Sequence, residues 1–351
     1  MNPDFWKNRS VFLTGHTGFK GGWTAVLLSQ MGAKVYGYSL EPPTTPNFFT
    51  VTKLETHLSQ SIIANILNLK TLTQAMNLAK PSVVIHMAAQ PLVRTSYNIP
   101  VETFTTNIIG TVNVLEAARQ TETVKTVINV TSDKCYENRE QTMPYKENDQ
   151  LGGYDPYSSS KACSELVTTA YRKSFLAEMG IQLASVRAGN VIGGGDWADD
   201  RLIPDFFRSV ETDKTMIIRS PDSIRPWQHV LEPISGYLIL AEKLLTGKKE
   251  YADAWNFGPD DEDAKPVSWV ADQLCKNIPR ARWKAERLKQ MHESVFLKLD
   301  NTKAKNHLNW RPHWNIKTAI QNTLSWYQSW KNGDEMMTIT QKQIEQFKNN
   351  K

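Results

Sequence analysis

A tyrosine and a lysine lie one helical turn apart in this sequence, at Tyr157 and Lys161. On a helix, residues four apart share a face, so the lysine ammonium would stand near the tyrosine phenol. A free tyrosine has a pKa of about 10, and a nearby cation favours the phenolate. The pair can therefore supply a base for an alcohol proton, although an isolated match of this kind would be an ordinary surface pair.

Two ionisable side chains follow a serine in the run Ser132, Asp133 and Lys134. The run comes directly after an apolar segment of strand length, so it would lie at a strand end. Two titratable groups beside a cofactor site imply proton transfers beyond simple oxidation and reduction. The other interpretation is a plain salt bridge at the end of a strand.

Glycines recur at Gly15, Gly18 and Gly21, between a short apolar run and a helical segment. This spacing lets the backbone approach a pyrophosphate, whose charge is met by N–H groups at the helix N-terminus. We predict dinucleotide binding here rather than an ordinary tight turn. Ser39 stands near the position where an acidic residue usually takes the ribose hydroxyls, so NAD is preferred and NADP stays open.

These groups must be positioned by elements that alternate between strand and helix through the first half of the chain. Strands are predicted at 11–13, 34–39, 61–64, 82–86, 124–131 and 181–187. Helices are predicted at 23–30, 69–79, 101–119 and 156–179. The alternation predicts an α/β fold, a Rossmann-type doubly wound parallel sheet with helices on both faces.

After Arg187 the pattern is broken by glycines and prolines, which predicts a smaller, discontinuous C-terminal substrate-binding domain. We divide the chain into an NAD-binding unit at 1–187 with a returning segment around 226–258, a substrate-binding unit at 188–225 plus 259–333, and a polar tail at 334–351. The tail is expected to be a loosely attached helix. Most of the 11 tryptophans lie at or beyond Trp197, so the two halves are expected to differ in construction.

The composition is that of a folded protein with a small positive net charge. Its 41 lysines and arginines exceed 36 aspartates and glutamates by five, spread along the chain, which suits an anionic small molecule and disfavours nucleic acid. No apolar run approaches the roughly 18 residues of a membrane helix, and the polar N-terminus does not resemble a signal peptide. The three cysteines, Cys135, Cys163 and Cys275, predict a reducing, cytoplasmic setting. No metal is predicted, because the spacing of the histidines does not match a metal-ligand pattern. The histidines considered are His16, His57, His229, His292, His307 and His313.

The chain resembles the extended short-chain dehydrogenase/reductase family in its sugar-nucleotide branch. The features that carry this resemblance are the glycine loop, the pair Tyr157 and Lys161, the runs 86–90 and 187–190, and Asn107. The resemblance covers about 11–330. It implies that Tyr157 is the catalytic base, that Lys161 binds the nicotinamide ribose and lowers the pKa of the phenol, and that Ser132 bonds the sugar alcohol. The implied cofactor is NAD, with contacts from Gly15, His16, Thr17, Gly18, Phe19, Lys20, Ser39, Asn65, Ile66, Ala88, Ala89, Gln90, Tyr157 and Lys161. Asn65 replaces the family's usual aspartate at the adenine edge, and its amide can still accept a bond from the adenine amino group.

The resemblance also separates the reactions of this branch. Epimerases tend to carry small, non-ionisable residues after the serine, whereas a 4,6-dehydratase needs an acid for the C6 hydroxyl and a base at C5. The resemblance implies that Asp133 is that acid and Lys134 that base. Dehydratases of thymidine- and guanosine-linked sugars carry glutamate where Lys134 stands, and the runs 15–23, 38–43 and 189–197 are similar to those of dehydratases that take CDP-glucose.

The implied reaction converts CDP-D-glucose to CDP-4-keto-6-deoxy-D-glucose and water, within bacterial deoxysugar and O-antigen precursor (lipopolysaccharide) biosynthesis. Arginine suits the substrate's pyrophosphate oxygens. The substrate-binding candidates are Arg201 and Arg225 with Asn190, then Arg219, and Arg94 beside the sugar. For each arginine, a surface pair with a carboxylate is an equally open interpretation.

Other functions remain open from the sequence. A UDP-sugar 4,6-dehydratase or a C4 epimerase would share the fold, and only a dehydratase gives a 4-keto-6-deoxy product. A non-catalytic dinucleotide-sensing protein is more distant, because such proteins commonly lose the tyrosine or the lysine. Family members commonly pair through the helices predicted at 101–119 and 156–179, so a homodimer or a tetramer is expected.

Overall fold

The strands of the computed structural model lie mostly in the first two thirds of the chain. The structure describes residues 1–286 and 296–349, so His292 and parts of the predicted substrate-binding unit and tail lie outside the described residues. The strands are β1 (Ser10–Thr14), β2 (Lys34–Ser39), β3 (Gln60–Ile63), β4 (Val83–His86), β5 (Thr126–Val130), β6 (Gln182–Ala188), β7 (Val191–Ile192), β8 (Met216–Ile218), β9 (Ile224–Pro226), β10 (Gln228–His229), β11 (Ala254–Phe257), β12 (Ala264–Pro266) and β13 (Trp283–Ala285).

Seven of the described strands form one sheet in the order β3-β2-β1-β4-β5-β6-β11. Every neighbouring pair in it is parallel. The strand order reverses direction between β1 and β4, and in open α/β sheets a crevice forms at the carboxyl ends of the strands at such a point. The predicted α/β fold with a Rossmann-type parallel sheet is confirmed.

Both faces of the sheet are buried, which explains the near-continuous apolar runs of its strands. Alternate residues along β1 face opposite cores: Val11 and Leu13 pack into one cluster, and Phe12 packs into another. In β4, Val83 and Val84 divide between the two clusters in the same way. This period-two division is what a strand between two layers of helices requires.

Helices cover these two faces and the C-terminal region. They are α1 (Pro3–Trp6), α2 (Phe19–Gln30), α3 (Phe48–Val51), α4 (Leu69–Ala79), α5 (Val93–Asn98), α6 (Pro100–Phe104), α7 (Gly110–Gln120), α8 (Pro156–Tyr171), α9 (Leu202–Glu211), α10 (Leu231–Leu245), α11 (Val267–Asn277), α12 (Thr302–Leu308), α13 (Ile316–Asn332) and α14 (Met336–Asn349). None of the described helices is both long and apolar enough to cross a membrane.

The two long predicted helices each contain a π-helical turn. The first, predicted at 101–119, consists of α6, a π turn at Thr105–Ile109 and α7. The second, predicted at 156–179, is α8 followed by a π turn at Arg172–Leu176. Such turns are rare in proteins as a whole, and many of those that occur lie near functional sites. The side chain of Asn107, inside the first π turn, bonds the backbone of Gln90 and donates to Ser160 Oγ at 2.8 Å, so it ties the loop after β4 to α8.

Beyond β6 the chain returns to the main sheet through α10 and β11, where Ala254 pairs with Ser185. The other late strands form two-stranded pairs: β7 with β10, β8 with β13, and β9 with β12. Tryptophans pack this region. Trp197, for example, makes edge contacts with Trp326 and Trp330 at centroid distances of 5.8 and 5.0 Å.

The expectation that residues 334–351 attach loosely is wrong for the part that the structure describes. Met336, Ile344 and Phe347 of α14 are buried in the main core, at 3%, 0% and 1% exposure. Thr340 accepts a 3.0 Å hydrogen bond from the indole of Trp326 in α13. The buried residues recur at intervals of three and four, so a polar composition concealed one apolar helix face.

Candidate active site

The carboxyl ends of β1, β4 and β5 meet at one edge of the sheet, as parallel strands require. Thr14, the last residue of β1, accepts hydrogen bonds from the backbone N–H groups of Met87 and Ala88 at 3.1 Å. Its hydroxyl also lies 2.8 Å from Nδ1 of His86. This bonding holds the glycine loop after β1 against the loop after β4.

The glycine loop forms a cradle that only glycines can build. Gly15 has a φ of +80°, and a Cβ on it would lie 2.8 Å from the backbone nitrogen of Ala88. A Cβ on Gly21 would lie 2.0 Å from the carbonyl oxygen of Gly15. Helix α2 begins with Gly18 as its N-cap and has no side-chain cap, so its first-turn N–H groups can face a phosphate. Because the loop is closed in this way, the residues fit the pyrophosphate of a dinucleotide.

At the end of β2, hydroxyl groups stand near the position of the usual ribose-binding carboxylate. The Oγ1 of Thr17 lies 2.8 Å from Ser39 Oγ and donates to the carbonyl of Leu40, also at 2.8 Å. His16 is fully buried, with Nε2 2.8 Å from Ser61 Oγ, and burial lowers its pKa to about 4. A neutral imidazole and two hydroxyls therefore form this side of the predicted cofactor site.

The remaining predicted cofactor residues differ in their exposure and in their contacts. Asn65 is exposed, and its side-chain oxygen accepts the backbone N–H of Leu67 at 2.9 Å. Ile66 is buried in the second core cluster. The amide of Gln90 bonds Leu92 and Thr103 within its own neighbourhood, so this side chain braces the loop beside Ala88 and Ala89. Phe19 packs against the main core.

Tyr157 and Lys161 lie on the first two turns of α8. The helix begins at Pro156, and the carboxylate of Asp155 caps it by accepting the N–H of Ser158 at 2.9 Å. Both side chains are buried; burial raises the pKa of Tyr157 to about 12 and lowers that of Lys161 to about 8. The nearby hydroxyl of Ser132 favours the phenolate and opposes the effect of burial. The Lys161 ammonium donates to the carbonyl of Val130 at 3.3 Å.

Ser132, Asp133 and Lys134 lie at the end of β5, against the start of α8. Ser132 Oγ donates to Asp133 Oδ1 at 3.0 Å and accepts the N–H of Lys134 at 3.2 Å. The side chain of Asp133 is only 3% exposed, and burial raises the pKa of its carboxyl group. A raised pKa favours the protonated form of a carboxyl group, which can donate its proton, so Asp133 is a candidate acid beside the candidate base Tyr157.

Lys20 has surroundings that the sequence did not indicate. Its ammonium lies 3.5 Å from the hydroxyl of the buried Tyr237 on α10, rather than extending into solvent. Burial and the nearby cations Lys161 and Arg201 together lower the pKa of Lys20 to about 8, against an opposing effect of Asp133. Lys20 therefore belongs to the same charged cluster as the catalytic candidates.

Two of the predicted substrate arginines approach this cluster. Arg225 is 3% exposed, donates to the carbonyl of Ile224 at 3.1 Å and lies close enough to Asp133 to favour its charged form. Arg201 is paired with Asp196 at 2.8 Å and favours the phenolate of Tyr157.

The other predicted substrate residues make hydrogen bonds or ion pairs with residues of the chain itself. Arg94 and Arg219 both donate to Oδ1 of Asp200, at 2.8 and 3.1 Å, and their side chains are 40% and 29% exposed. The half-buried Asn190 lies between β6 and β7, and its carbonyl accepts the N–H of Gln228 at 3.1 Å. Asp200, which joins the two arginines, was not identified from the sequence.

Within residues 1–286 and 296–349, no group of three or more histidine, cysteine or acidic side chains is arranged to hold a metal ion.

A family model described as GDP-mannose 4,6 dehydratase matches residues 12–323 of this chain. A CDP-glucose 4,6-dehydratase of Salmonella typhimurium is 47% identical to it, over 99% of this chain and 98% of that relative. A probable dTDP-glucose 4,6-dehydratase of Sinorhizobium fredii is 22% identical, over 90% of this chain and 92% of the relative.

Solved structures show the same fold. The dTDP-glucose 4,6-dehydratase of Bacillus anthracis in complex with NAD matches with a TM-score of 0.76 at 21% identity, over 94% of this chain and 99% of that one. The UDP-glucose 4-epimerase of Thermotoga maritima with UDP-glucose matches with a TM-score of 0.79 at 19% identity, over 92% and 99%. Because a dehydratase and an epimerase match equally well, the fold does not select the reaction, and the site residues must.

Proposed function

The chain belongs to the GDP-mannose 4,6 dehydratase family, and we propose that it is an NAD-dependent enzyme that converts CDP-glucose to CDP-4-keto-6-deoxyglucose and water. The observation that carries this proposal is the buried carboxyl group of Asp133, hydrogen-bonded to Ser132 and next to Lys134 at the end of β5, with a pKa that burial raises. The relative that is 47% identical over nearly its whole length carries the name of this activity. An epimerase needs no such acid.

The glycine cradle and the uncapped start of α2 would hold the pyrophosphate of NAD. Ser39 and Thr17 would face the adenosine ribose with neutral hydroxyls, and Lys161 would bind the nicotinamide ribose. When bound, the cofactor supplies oxidation at C4 of the sugar and the matching reduction at C6, so the reaction has no net redox change.

Oxidation at C4 requires a base for the C4 hydroxyl proton, and Tyr157 is placed to be that base. Its phenolate is favoured by the nearby hydroxyl of Ser132 and by the guanidinium of Arg201, against the effect of burial. Ser132 would also bond the sugar alcohol and so orient it toward the tyrosine.

The elimination then needs an acid and a base on neighbouring carbons. A C4 ketone acidifies the proton at C5; Lys134 would remove that proton and later return it. Asp133 would protonate the C6 hydroxyl, which leaves as water. Burial of Asp133 supports this role because it raises the pKa of the carboxyl group and so favours the protonated form.

The sugar nucleotide would lie between the main sheet and the late two-stranded pairs. Arg225 and Arg201, the two arginines nearest Asp133 and Tyr157, are proposed to bind its pyrophosphate, with Asn190 as a polar contact. Arg94 and Arg219 would bind the substrate by breaking their hydrogen bonds with Asp200 and donating to the substrate instead. The proposed division is thus a cofactor unit at 1–187 with 226–258 and a substrate unit at 188–225 plus 259–333.

We also propose a homodimer or a tetramer built through α6–α7 and α8. Large apolar side chains are exposed along these helices; they are Val101 at 78%, Phe104 at 36%, Ile109 at 48%, Leu166 at 59% and Phe175 at 46%. Three free cysteines fit a reducing, cytoplasmic setting. Such an enzyme would supply a deoxysugar nucleotide for O-antigen assembly.

The test is incubation of the purified protein with CDP-, UDP-, dTDP- and GDP-glucose in turn, with the products identified by NMR. The proposal expects a 4-keto-6-deoxy sugar, formed fastest from the cytidine donor. A C4 epimer, or equal rates with all four donors, would contradict it.

A further inference from the structure

The carboxylate of Asp200 joins two arginines that come from distant parts of the chain. Arg94 lies on α5, which follows β4 of the main sheet, and donates to Oδ1 of Asp200 at 2.8 Å. Arg219 follows β8 in the C-terminal region and donates to the same oxygen from Nη1 at 3.2 Å and from Nη2 at 3.1 Å. One oxygen atom therefore links the proposed cofactor unit to the proposed substrate unit, and we call these three residues the Asp200 cluster.

The Asp200 cluster lies next to the catalytic candidates. Two residues after Arg94, Ser96 Oγ accepts the backbone N–H of Tyr157 at 3.2 Å, so α5 packs against the first turn of α8. On the other side, Asp200 directly precedes Arg201, which is the N-cap of α9 and is close to Tyr157. The cluster is thus at the edge of the proposed active site, where a bound sugar nucleotide would meet both arginines.

The bonds of Asp200 are of a kind that an anion can displace. The side chains of Arg94, Asp200 and Arg219 are 40%, 35% and 29% exposed, and exposed ion pairs contribute little to stability. Three N–H donors converge on Oδ1, which has two lone pairs, and none of the described residues donates to Oδ2. A diphosphate offers each guanidinium its own oxygen atoms, so it satisfies the two arginines better than one carboxylate oxygen does.

The neighbouring pair of Asp196 and Arg201 has the opposite arrangement. The side chain of Asp196 is 7% exposed, and its two oxygens have separate donors. Oδ2 accepts from Arg201 at 2.8 Å, and Oδ1 accepts from the backbone N–H of Ala198 at 3.1 Å. Asp196 is therefore fixed by its own loop. The carboxylate of Asp200 accepts from no backbone N–H of the described residues, so it can leave the arginines without breaking a loop.

We propose that Asp200 is a specificity-determining residue that competes with the diphosphate of the substrate for Arg94 and Arg219. A ligand must displace the carboxylate from both guanidinium groups, so a ligand without a diphosphate gains less from this part of the site. After displacement, the bound diphosphate replaces Asp200 as the link between the two units. The inference rests on the proposed function, because it takes the two arginines as ligands of CDP-glucose.

The test compares Asp200→Asn with Asp199→Asn in the whole chain loaded with NAD. Asparagine has the shape of aspartate and readily adopts the left-handed backbone conformation of Asp200, whose φ is +58°. The side chain of Asp199 is 82% exposed and pairs with Arg208 at 3.3 Å, so its variant makes the same change of charge one residue away. Calorimetry measures the dissociation constant of CDP at low ionic strength, where exposed ion pairs are least screened. Both kcat and KM are measured with CDP-glucose.

For Asp200→Asn we expect CDP to bind about threefold to tenfold more tightly, as released exposed ion pairs would allow. The KM for CDP-glucose should fall while kcat stays unchanged, because substrate and transition state gain equally from the freed arginines. Asp199→Asn should keep the wild-type values. In a variant that carries both Arg94→Gln and Arg219→Gln, adding Asp200→Asn should no longer change CDP binding, because the carboxylate has no arginine left to occupy.

Unchanged or weaker CDP binding in Asp200→Asn overturns the inference. An equal gain in Asp199→Asn also overturns it, because net charge alone would then explain the effect, and so does a gain that persists without the two arginines. A wild-type protein that forms no 4-keto-6-deoxy product from CDP-glucose overturns the proposed function instead. An active wild type whose Asp200→Asn variant binds CDP no more tightly overturns the role of Asp200 alone.

Discussion

Glu165 and Arg187 form a buried ion pair in which Nε and Nη2 of the guanidinium donate to the two carboxylate oxygens, each at 2.9 Å. The side chains are 1% and 3% exposed. Glu165 also accepts the hydroxyls of Thr131 at 2.5 Å and Ser185 at 2.6 Å. One carboxylate therefore fastens α8 to the ends of β5 and β6, one turn beyond Lys161.

We expect Glu165→Gln to destabilise the protein strongly, because it leaves the guanidinium of Arg187 buried without a counter-charge. The expected loss in the free energy of unfolding is about 3–5 kcal/mol, measured by urea denaturation. Glu116→Gln is the matched control, since Glu116 pairs with the half-exposed Arg119 and should cost about 1 kcal/mol or less. Equal losses in the two variants would refute the anchoring role of Glu165.

Gly21→Ala should weaken NAD binding by at least about tenfold, which is about 1.4 kcal/mol. The added methyl group would stand 2.0 Å from the carbonyl oxygen of Gly15, so the cradle must open. Titration of NAD by calorimetry measures the dissociation constant. Gly247→Ala is the control for a general loss of stability, because its φ of +79° strains an alanine although nothing lies within 4 Å of a Cβ there. An unchanged dissociation constant for Gly21→Ala would show that the loop does not hold the cofactor.

Lys134→Ala should abolish exchange of the C5 proton. In deuterated solvent the wild-type product is expected to carry deuterium at C5, because the ammonium that Lys134 forms on taking the C5 proton exchanges its hydrogens with solvent before it returns one to C5. The variant should show at least about a hundredfold slower incorporation, as expected for loss of a general base. Lys146→Ala changes an exposed lysine and controls for the change of charge. Unchanged incorporation at C5 would remove Lys134 from the mechanism.

Glu232 should make the stability of the protein fall as the pH rises from about 5 to about 8. Burial raises its pKa from the ordinary 4.5 to about 8, against the bonds that its carboxylate accepts from the N–H groups of His313 and Trp314. Between these values the folded state binds more protons than the unfolded state, so the free energy of unfolding decreases with pH. Glu232→Gln should flatten this decrease in urea denaturation across that range, whereas exposed Glu262→Gln should leave it unchanged. A decrease that persists in Glu232→Gln would mean that another group causes it.

The parallel sheet was predictable because its signals are local. A strand such as β4 is a short apolar run between polar segments, and the glycine loop and the pair Tyr157 and Lys161 have fixed spacings in the chain. The surroundings of these groups were not predictable in the same way. Arg187 finds Glu165 across 22 positions, and Lys20 reaches Tyr237 across 217. Such contacts depend on how helices pack on the sheet, which periodicity does not specify.

The measurement that tests the central claim most directly follows one label through the reaction. CDP-glucose carrying deuterium at C4 is incubated with the protein and NAD, and the product is examined by NMR. Dehydration with internal reduction predicts a 4-keto sugar whose deuterium has moved to the C6 methyl group. Deuterium that remains at C4 of a hexose, or a 4-keto product with an unlabelled methyl group, would contradict the account.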